Sequence, residues 1–254
     1  MAVVIAVANQ KGGVGKTTTT LNLGYLLAEL GKRVLMIDAD PQASLTSYLR
    51  CKTEELDEGQ RTLYFALMRG VPLSSMLIDE NPALVPTSIR LASAEPELYQ
   101  GQLQDPQLRL RELIQEVRPR FDHILIDCAP SLGILTINAL AAADKVLIPA
   151  QTEFLASKGI SLLIDTINTV RVGLNPDLEI AGVLPTMYKT RQTHDEAVLS
   201  AMELGMRHHG IRLFEPIARA ALFNKASIEG RPATQVAPKS PAIENYVKLA
   251  HAIA

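Results

Sequence analysis

The chain has 254 residues, 47 % of them hydrophobic, and a formal net charge of −2. This balance excludes an intrinsically disordered chain and a protein that binds nucleic acid through its overall charge. Its two cysteines, Cys51 and Cys128, are too few for a disulfide framework or a four-ligand metal site. Because we see neither a signal peptide nor an apolar run of the ~18 residues that span a bilayer, we expect a cytosolic protein.

Short apolar runs alternate with helical patterns along the chain. The runs do not alternate with polar residues, which is typical of parallel strands covered on both faces. The predicted strands span residues 3–8, 34–37, 124–126, 146–148 and 180–184, and the predicted helices span residues 16–30, 107–117, 133–143 and 157–172. This order predicts an α/β fold, a doubly wound and mostly parallel sheet with helices on both faces.

Residues 51–106 fit this alternation less well. They hold the prolines Pro72, Pro82, Pro86 and Pro96 and end at Pro106. We expect short helices and loops there, with a small strand at residues 84–85. Because no linker or repeat stands out, we predict a single domain over residues 1–254, with 51–106 as a divergent, loop-rich segment.

A glycine-rich segment joins the first predicted strand to the first predicted helix. Gly15, Lys16 and Thr17 match the last three positions of the phosphate-loop pattern, whereas Gln10 stands where the pattern has its first glycine. The backbone N–H groups of such a loop, together with the helix N-terminus, bind phosphate. We expect Lys16 to contact the β- and γ-phosphates of a nucleotide and the Thr17 hydroxyl to ligate Mg²⁺.

Carboxylates follow two of the predicted strands, Asp38 and Asp40 after one and Asp127 after another. Ligands bind outside the carboxyl ends of the strands in open α/β sheets. We therefore expect Asp38 to interact with the waters of Mg²⁺, Asp40 to orient the attacking water, and Asp127 to hold the metal directly or through water. Cys128 is expected to be a small buried hydrophobe.

At this point the sequence resembles a known family. The run Lys11-Gly12-Gly13-Val14-Gly15-Lys16-Thr17-Thr18 is similar to the deviant Walker A motif of the ParA/MinD group of dimeric ATPases. Residues 38–42, 127–133, 138–140 and 186–188, with Arg191, look like the ParA branch of that group. The likeness covers nearly the whole chain and is weakest over residues 51–106.

The resemblance implies an ATPase that binds ATP and Mg²⁺ through residues 11–18 and forms a homodimer with two ATP molecules between its subunits. Lys11 would be the signature lysine, which reaches the nucleotide phosphates in the partner subunit and acts in catalysis with Lys16 and Asp40. Glu153 would contact the ribose held by the partner subunit. Dimer formation with ATP and its reversal on hydrolysis would form a switch.

Proteins of the ParA type bind DNA non-specifically as ATP dimers and are released by a partner that stimulates hydrolysis. A cargo carried by that partner thereby moves over the nucleoid. By this resemblance we expect the protein to be cytoplasmic and associated with the nucleoid. Residues 180–254 carry nine lysines and arginines against six acids, and phosphate binding needs such a local excess. The candidates for DNA contact are Arg191, Arg219, Lys225, Arg231 and Lys239.

One segment departs from the pattern of chromosomal members, which carry I-P-R-N-V-R-L-A-E-A-P-S near the carboxyl end. Here residues 217–227 read IARAALFNKAS, so that Arg219 keeps the first arginine while Leu222 replaces the second and Lys225 replaces the acid. This favours a plasmid-type or orphan member, for example of the McdA-like branch that spaces carboxysomes. The adaptor would then be McdB-like instead of ParB-like.

Other classes of protein share the phosphate loop. A membrane-positioning ATPase of the MinD type needs a basic amphipathic carboxyl-terminal helix, whereas residues 243–254 hold one lysine and are expected to pack on the domain. A small-molecule ligase or kinase needs a polar pocket for a second substrate, and the sequence offers no residues that argue for one.

Overall fold

The computed structural model describes residues 1–78, 81–100, 104–153, 156–189 and 193–254. Six strands form one parallel sheet in the order β3-β2-β4-β1-β5-β6. The strands are β1 (Val3–Val7), β2 (Val34–Ala39), β3 (Ala83–Val85), β4 (His123–Cys128), β5 (Lys145–Gln151) and β6 (Glu179–Thr186). All the predicted strands, including the small one at residues 84–85, are therefore confirmed.

The four predicted helices are also confirmed, with ends that differ by at most two residues from the prediction. They correspond to α1, α6, α7 and α8. In chain order the helices are α1 (Lys16–Glu29), α2 (Ser44–Tyr48), α3 (Thr53–Glu58), α4 (Leu63–Arg69), α5 (Leu91–Gln100), α6 (Arg109–Val117), α7 (Ile134–Ala142), α8 (Ala156–Gly173), α9 (Thr193–His208), α10 (Ala221–Glu229), α11 (Ala233–Val236) and α12 (Pro241–Ile253).

The sheet is covered on both faces. Successive side chains of a strand point to opposite faces, and Val4 and Ala6 of β1 lie in one hydrophobic cluster while Ile5 lies in another. The first cluster includes residues of α6, α7 and α8, and the second includes residues of α1 and α12. Every residue of β2 and β4 is buried, which explains why these strands read as continuous apolar runs.

Residues 51–106 form short elements, as predicted. They include α3, α4, the 3-10 turn Leu73–Ser75, the edge strand β3 and α5, and α5 continues through Pro96. None of the helices in the described part of the chain combines the length and the apolar character that crossing a lipid bilayer requires.

The strand order places a crevice at the end of β1. β1 lies between β4 and β5. Strands β2, β3 and β4 extend the sheet from one edge of β1, and β5 and β6 extend it from the other edge. Such a change of direction marks the ligand-binding crevice of an open α/β sheet. The register sets Val7 of β1 and Asp38 of β2 on either side of Asp127, which brings the predicted loop and the predicted carboxylates to one edge.

Candidate active site

A cavity of about 970 Å³ lies beside the loop that follows β1. Its wall includes Lys16, Thr17 and Thr18 from the start of α1 and Asp40 from beyond the end of β2. The structure thus brings together predicted site residues from two motifs that are more than twenty positions apart. The rest of the wall comes from two glycines of the loop, from residues between 42 and 48, from Pro130 and from residues in the last third of the chain.

The loop needs its glycines for backbone conformation. Gly13 has φ +74° and Gly15 has φ +87°, a region that residues with a Cβ rarely adopt. At Gly13 an added Cβ would meet no atom within 4 Å, so the requirement there is the left-handed conformation and not the space. A side chain at the start of the loop also stabilises it, because the amide oxygen Oδ1 of Asn9 accepts the Lys11 N–H at 3.0 Å.

Lys16 occupies the inside of the loop. It is 7 % exposed, and its Nζ donates to the Lys11 carbonyl oxygen at 3.3 Å. Burial lowers the pKa of its ammonium group, an effect that the charge of Asp127 partly opposes. A buried ammonium group of this kind favours an anion beside it.

Lys11, by contrast, points to the outside of the loop. Its Nζ lies 2.6 Å from Glu153 Oε2, and the two side chains are 45 % and 57 % exposed. The predicted contact of Glu153 with a ribose across a dimer interface stays a prediction. Within one chain, Glu153 instead holds the lysine that the resemblance assigns to the partner's phosphates.

Asp127 and Thr17 fit a magnesium ion. Asp127 is fully buried, and its Oδ2 has no hydrogen-bond partner within the described residues. Burial first, and then the charge of Asp38, raise the pKa of Asp127 well above its usual value, whereas a hydrogen bond from Thr17 lowers it. Mg²⁺ in nucleotide sites is held by one or two protein oxygens together with phosphates. Such a site does not require a cluster of three His, Cys, Asp or Glu ligands, and the described part of the chain contains no such cluster.

Asp38 is already bonded by the protein. Its Oδ2 accepts the Thr46 N–H at 2.8 Å and the Thr46 hydroxyl at 2.7 Å, and its Oδ1 accepts the Asp40 N–H at 3.3 Å. Burial nevertheless raises the pKa of Asp38 to about 6. These bonds make Asp38 the anchor of the first turn of α2, and its predicted interaction with metal-bound water stays a prediction.

Asp40 faces the cavity from the turn after β2. It is 8 % exposed, and its Oδ1 accepts the Gln42 N–H at 2.9 Å. This bond fixes the side chain at the edge of the cavity that Gln42 also lines. The position suits the predicted role of orienting water, which stays a prediction. Cys128 is buried at 1 % exposure, which agrees with a packing role.

Sequence reasoning gave no role to several residues that line the cavity. Thr186 ends β6 and Met187 follows it, whereas Ile217 and Ala218 lie in the segment before α10. Thr186 and Met187 could have been predicted from the sequence, because ligands bind outside the carboxyl ends of strands and these residues lie at the carboxyl end of β6. Ile217 gave no such signal, since a tertiary contact, the Tyr188 N–H donating to the Ile217 carbonyl at 3.1 Å, brings it to β6.

The candidates for DNA contact are exposed where the structure describes them. Lys225, Arg231 and Lys239 lie in or beside α10 and α11. Arg219 is exposed too, but it also lines the cavity, so its charge faces the candidate nucleotide site. Arg191 lies outside the described residues.

The chain matches known proteins over almost its full length. A profile of the AAA-domain family matches residues 2–180. The sporulation initiation inhibitor protein Soj of Bacillus subtilis is 38 % identical, with 100 % of this chain and 99 % of Soj covered. The chromosome partitioning protein ParA of Caulobacter vibrioides is 40 % identical, with 98 % and 93 % covered.

Solved structures agree on the fold. Cobyrinic acid a,c-diamide synthase of Mycobacterium smegmatis, with bound ADP and magnesium, is 36 % identical with a TM-score of 0.85, covering 100 % of this chain and 94 % of that one. A variant of Cyanothece McdA, in complex with ATP, has a TM-score of 0.88 at 24 % identity, covering 99 % of this chain and 96 % of that one, and this likeness shows the fold alone. The matched profile and the full-length relatives show that the chain belongs to the AAA-domain family and, within it, to the ParA/Soj proteins.

Proposed function

We propose that the chain is a Mg²⁺-dependent ATPase that forms an ATP-sandwich homodimer and binds DNA non-specifically in that state. An adaptor stimulates hydrolysis and resets the switch, so that a cargo is positioned or partitioned over the nucleoid. The observation that carries the proposal is the contrast between two lysines of one loop. Lys16 is buried inside the loop, whereas Lys11 is exposed and held by Glu153 at its rim.

The nucleotide site follows from the arrangement of the loop. Backbone N–H groups of residues 12–18 and the Lys16 ammonium group bind the phosphates of ATP. Thr17 and Asp127 Oδ2, which has no hydrogen-bond partner among the described residues, would hold Mg²⁺, and the metal would neutralise charge on the phosphate oxygens. Asp40 orients the water that attacks the γ-phosphate.

The dimer supplies the remaining charge. With its stem on the outside of the loop, Lys11 is free to leave Glu153 and contact phosphates in a second subunit, as an arginine finger does. The salt bridge to Glu153 is exposed on both sides, and exposed pairs of this kind contribute at most about 1 kcal/mol. Binding of a triphosphate in the partner subunit is sufficient to replace it.

The exposed basic residues beside α10 and α11 bind the DNA backbone, which makes binding independent of sequence and sensitive to salt. The protein is thereby cytoplasmic and nucleoid-associated. The chromosome partitioning protein ParA, a relative of this chain, supports a chromosome as cargo. A plasmid is the alternative, and the adaptor would be ParB-like in either case. The departures at Leu222 and Lys225 keep a protein organelle such as the carboxysome, with an McdB-like adaptor, as the other cargo.

Binding of the purified protein to random-sequence duplex DNA tests the proposal, with ATP–Mg²⁺, with ADP and without nucleotide. Binding should require ATP, increase in Asp40→Ala, which traps ATP, and be lost in Lys16→Ala. It should weaken with salt. An ATP-dependent dimer that binds no DNA in any state would refute the DNA step and leave the ATPase switch standing.

A membrane-positioning ATPase of the MinD type is disfavoured by the carboxyl-terminal helix. Ile243, Tyr246 and Leu249 of α12 are buried against the sheet cluster that includes α1, so this apolar face is not available to lipid. Flotation with anionic liposomes in the presence of ATP checks this point. Co-flotation of the wild-type protein would favour the membrane function over the nucleoid one.

The relative named a diamide synthase favours a second candidate, an ATP-dependent enzyme that forms amides. It is 36 % identical to this chain, and the match covers the whole of this chain. Phosphate release with cobyrinic acid and an amine donor distinguishes the two functions. We expect cobyrinic acid to leave ATP turnover unchanged, and stimulation by it would establish the amide-forming enzyme instead.

A further inference from the structure

The last pair of residues in the β5–β6 ladder, Gln151 and Thr186, touches the phosphate loop at two consecutive carbonyl groups. Gln151 and Thr186 are register partners. Gln151 Nε2 donates to the Gly13 carbonyl oxygen at 3.0 Å, and the Thr186 hydroxyl donates to the Val14 carbonyl oxygen at 2.8 Å. Two neighbouring strands thus end in side chains that hold neighbouring peptide units of one loop.

The bond from Thr186 is the better protected of the two. Thr186 is 3 % exposed, and its hydroxyl bond to Val14 is buried. Water therefore does not compete for the Val14 carbonyl. Gln151 is partly exposed and divides Nε2 between the Gly13 carbonyl and Met187 Sδ, 2.9 Å away.

Holding a carbonyl group also fixes the next N–H group. The peptide unit is planar and trans, so the Val14 carbonyl and the Gly15 N–H lie in one plane and point in opposite directions. The flanking glycines, Gly13 and Gly15, have positive φ and offer little resistance to rotation of the units between them. Without an outside bond, the peptide could turn and present its carbonyl oxygen to the phosphates.

We propose that Thr186, assisted by Gln151, is a positioning residue for the phosphate loop. It holds the Val14–Gly15 peptide so that the Gly15 N–H faces a bound phosphate. The inference rests on the proposed nucleotide function, because it assigns a role within that same site. It adds that the site is organised from β5 and β6, 138 and 172 positions away along the chain.

The test compares Thr186→Val, which keeps the shape but loses the hydroxyl, with Thr186→Ser, which keeps the hydroxyl. The matched control is Thr136→Val in α7, because Thr136 is also buried, does not line the cavity, and its hydroxyl has no partner among the described residues. Fluorescent AMP, ADP and ATP report the dissociation constants. The ¹H–¹⁵N resonance of Gly15, measured without nucleotide, reports the peptide itself.

We expect Thr186→Val to shift the Gly15 resonance and to weaken ATP and ADP about tenfold, with a smaller loss for AMP. Thr186→Ser and Thr136→Val should match the wild type. If Thr186 contacted the base directly, Thr186→Val would instead weaken the binding of AMP, ADP and ATP equally, and that result would overturn the proposal. So does an unmoved Gly15 resonance, or ATP affinity in Thr186→Val equal to that of the wild type.

Failure of the proposed function is visible separately. If the wild-type protein itself binds no fluorescent nucleotide, the nucleotide site is refuted, and with it the role of Thr186, before any variant is compared. If the wild type binds nucleotide and Thr186→Val binds it equally well, the proposed function stands and the positioning role falls.

Discussion

The ammonium group of Lys11 lies 2.6 Å from a carboxylate oxygen of Glu153 in the same chain, across 142 positions of sequence. Lys16, five positions further on, donates instead to the loop carbonyl of Lys11. The loop therefore separates two cations: Lys16 is buried inside it, and Lys11 is exposed at its rim and paired with Glu153.

This separation predicts different effects for the two lysines. Lys16→Ala should weaken nucleotide binding about 10- to 100-fold, because it removes charge-assisted hydrogen bonds inside the loop. Lys11→Ala should bind nucleotide within about threefold of the wild type, since an exposed ion pair contributes little, and yet lose ATP turnover. Fluorescent ADP titrations and phosphate release measure the two effects.

Glu153→Gln is the matched variant for Lys11. It frees the lysine without removing it, so nucleotide binding by the single chain should be unchanged. If Lys11→Ala lost nucleotide binding as completely as Lys16→Ala, the division of roles between the two lysines would be wrong.

A second prediction concerns the anchor of α2. The Thr46 hydroxyl donates to Asp38 at 2.7 Å and accepts the Thr87 N–H at 2.9 Å, and Thr46 is fully buried. Thr46→Val removes both bonds and leaves an acceptor and a donor buried without this partner. We expect the free energy of unfolding, measured in urea, to fall by about 2–3 kcal/mol.

Thr136→Val is the control for the loss of a buried hydroxyl. Because that hydroxyl has no partner in the described part of the chain, the free energy of unfolding should change by less than about 0.5 kcal/mol. Equal losses in the two variants would mean that the hydrogen bonds of Thr46 do not contribute, and that side-chain packing alone accounts for the cost.

Much of this site was visible in the sequence because its signals are contiguous. Residues 10–18 carry the loop, its lysines and the start of α1 in one run, and Asp38 and Asp127 each directly follow an apolar run. The parallel register of β2 and β4 then sets these two carboxylates side by side, as the rule for strand ends implies.

The parts that sequence did not reveal depend on contacts between distant segments. Neither the Glu153 contact of Lys11 nor the Thr186 contact of Val14 has a local pattern, since each joins residues more than a hundred positions apart. Ile217 reaches the cavity through a backbone bond with Tyr188. Patterns of period and spacing describe single elements, and these contacts arise only when the elements pack.

A third prediction follows from the buried carboxyl groups. Burial raises the pKa of Asp38 from 3.8 to about 6, and it raises that of Asp127 as well. A carboxyl group with a raised pKa in the folded state contributes stability that is fully present below the unfolded pKa and is lost as pH rises through the folded pKa. For Asp38, this contribution should therefore decline between about pH 4 and pH 6.

Urea unfolding of the nucleotide-free protein, measured from about pH 4 to about pH 7, checks the direction in which the free energy of unfolding changes with pH. Asp38→Asn does not titrate at this position, so its stability should rise relative to that of the wild type as pH increases. The side chain of Asp38 should also titrate near 6 in a ¹³C carboxyl experiment. A constant difference between the two proteins over this range would contradict a raised pKa.

The fourth prediction concerns the DNA surface. Lys225, Arg231 and Lys239 are exposed, and Lys225 is only loosely paired, with 3.8 Å between its Nζ and Glu229 Oε1. Replacing all three with Glu should weaken ATP-dependent DNA binding about tenfold or more. It should also reduce the dependence of log K on log salt, because each lost phosphate contact removes about 0.9 from the slope for duplex DNA. Basal ATP hydrolysis should be unchanged, since none of the three lines the cavity.

Lys52→Glu is the control for a single charge reversal outside the candidate residues. Lys52 is exposed beside α3 and pairs with Glu55, far in sequence from the candidate surface. A similar loss of DNA binding in this variant would show that the total charge of the protein governs binding. Loss in the triple variant alone, at every salt concentration and for every duplex sequence, would locate the phosphate contacts beside α10 and α11, since contacts to the backbone carry no sequence information. Wild-type affinity in the triple variant would exclude this surface.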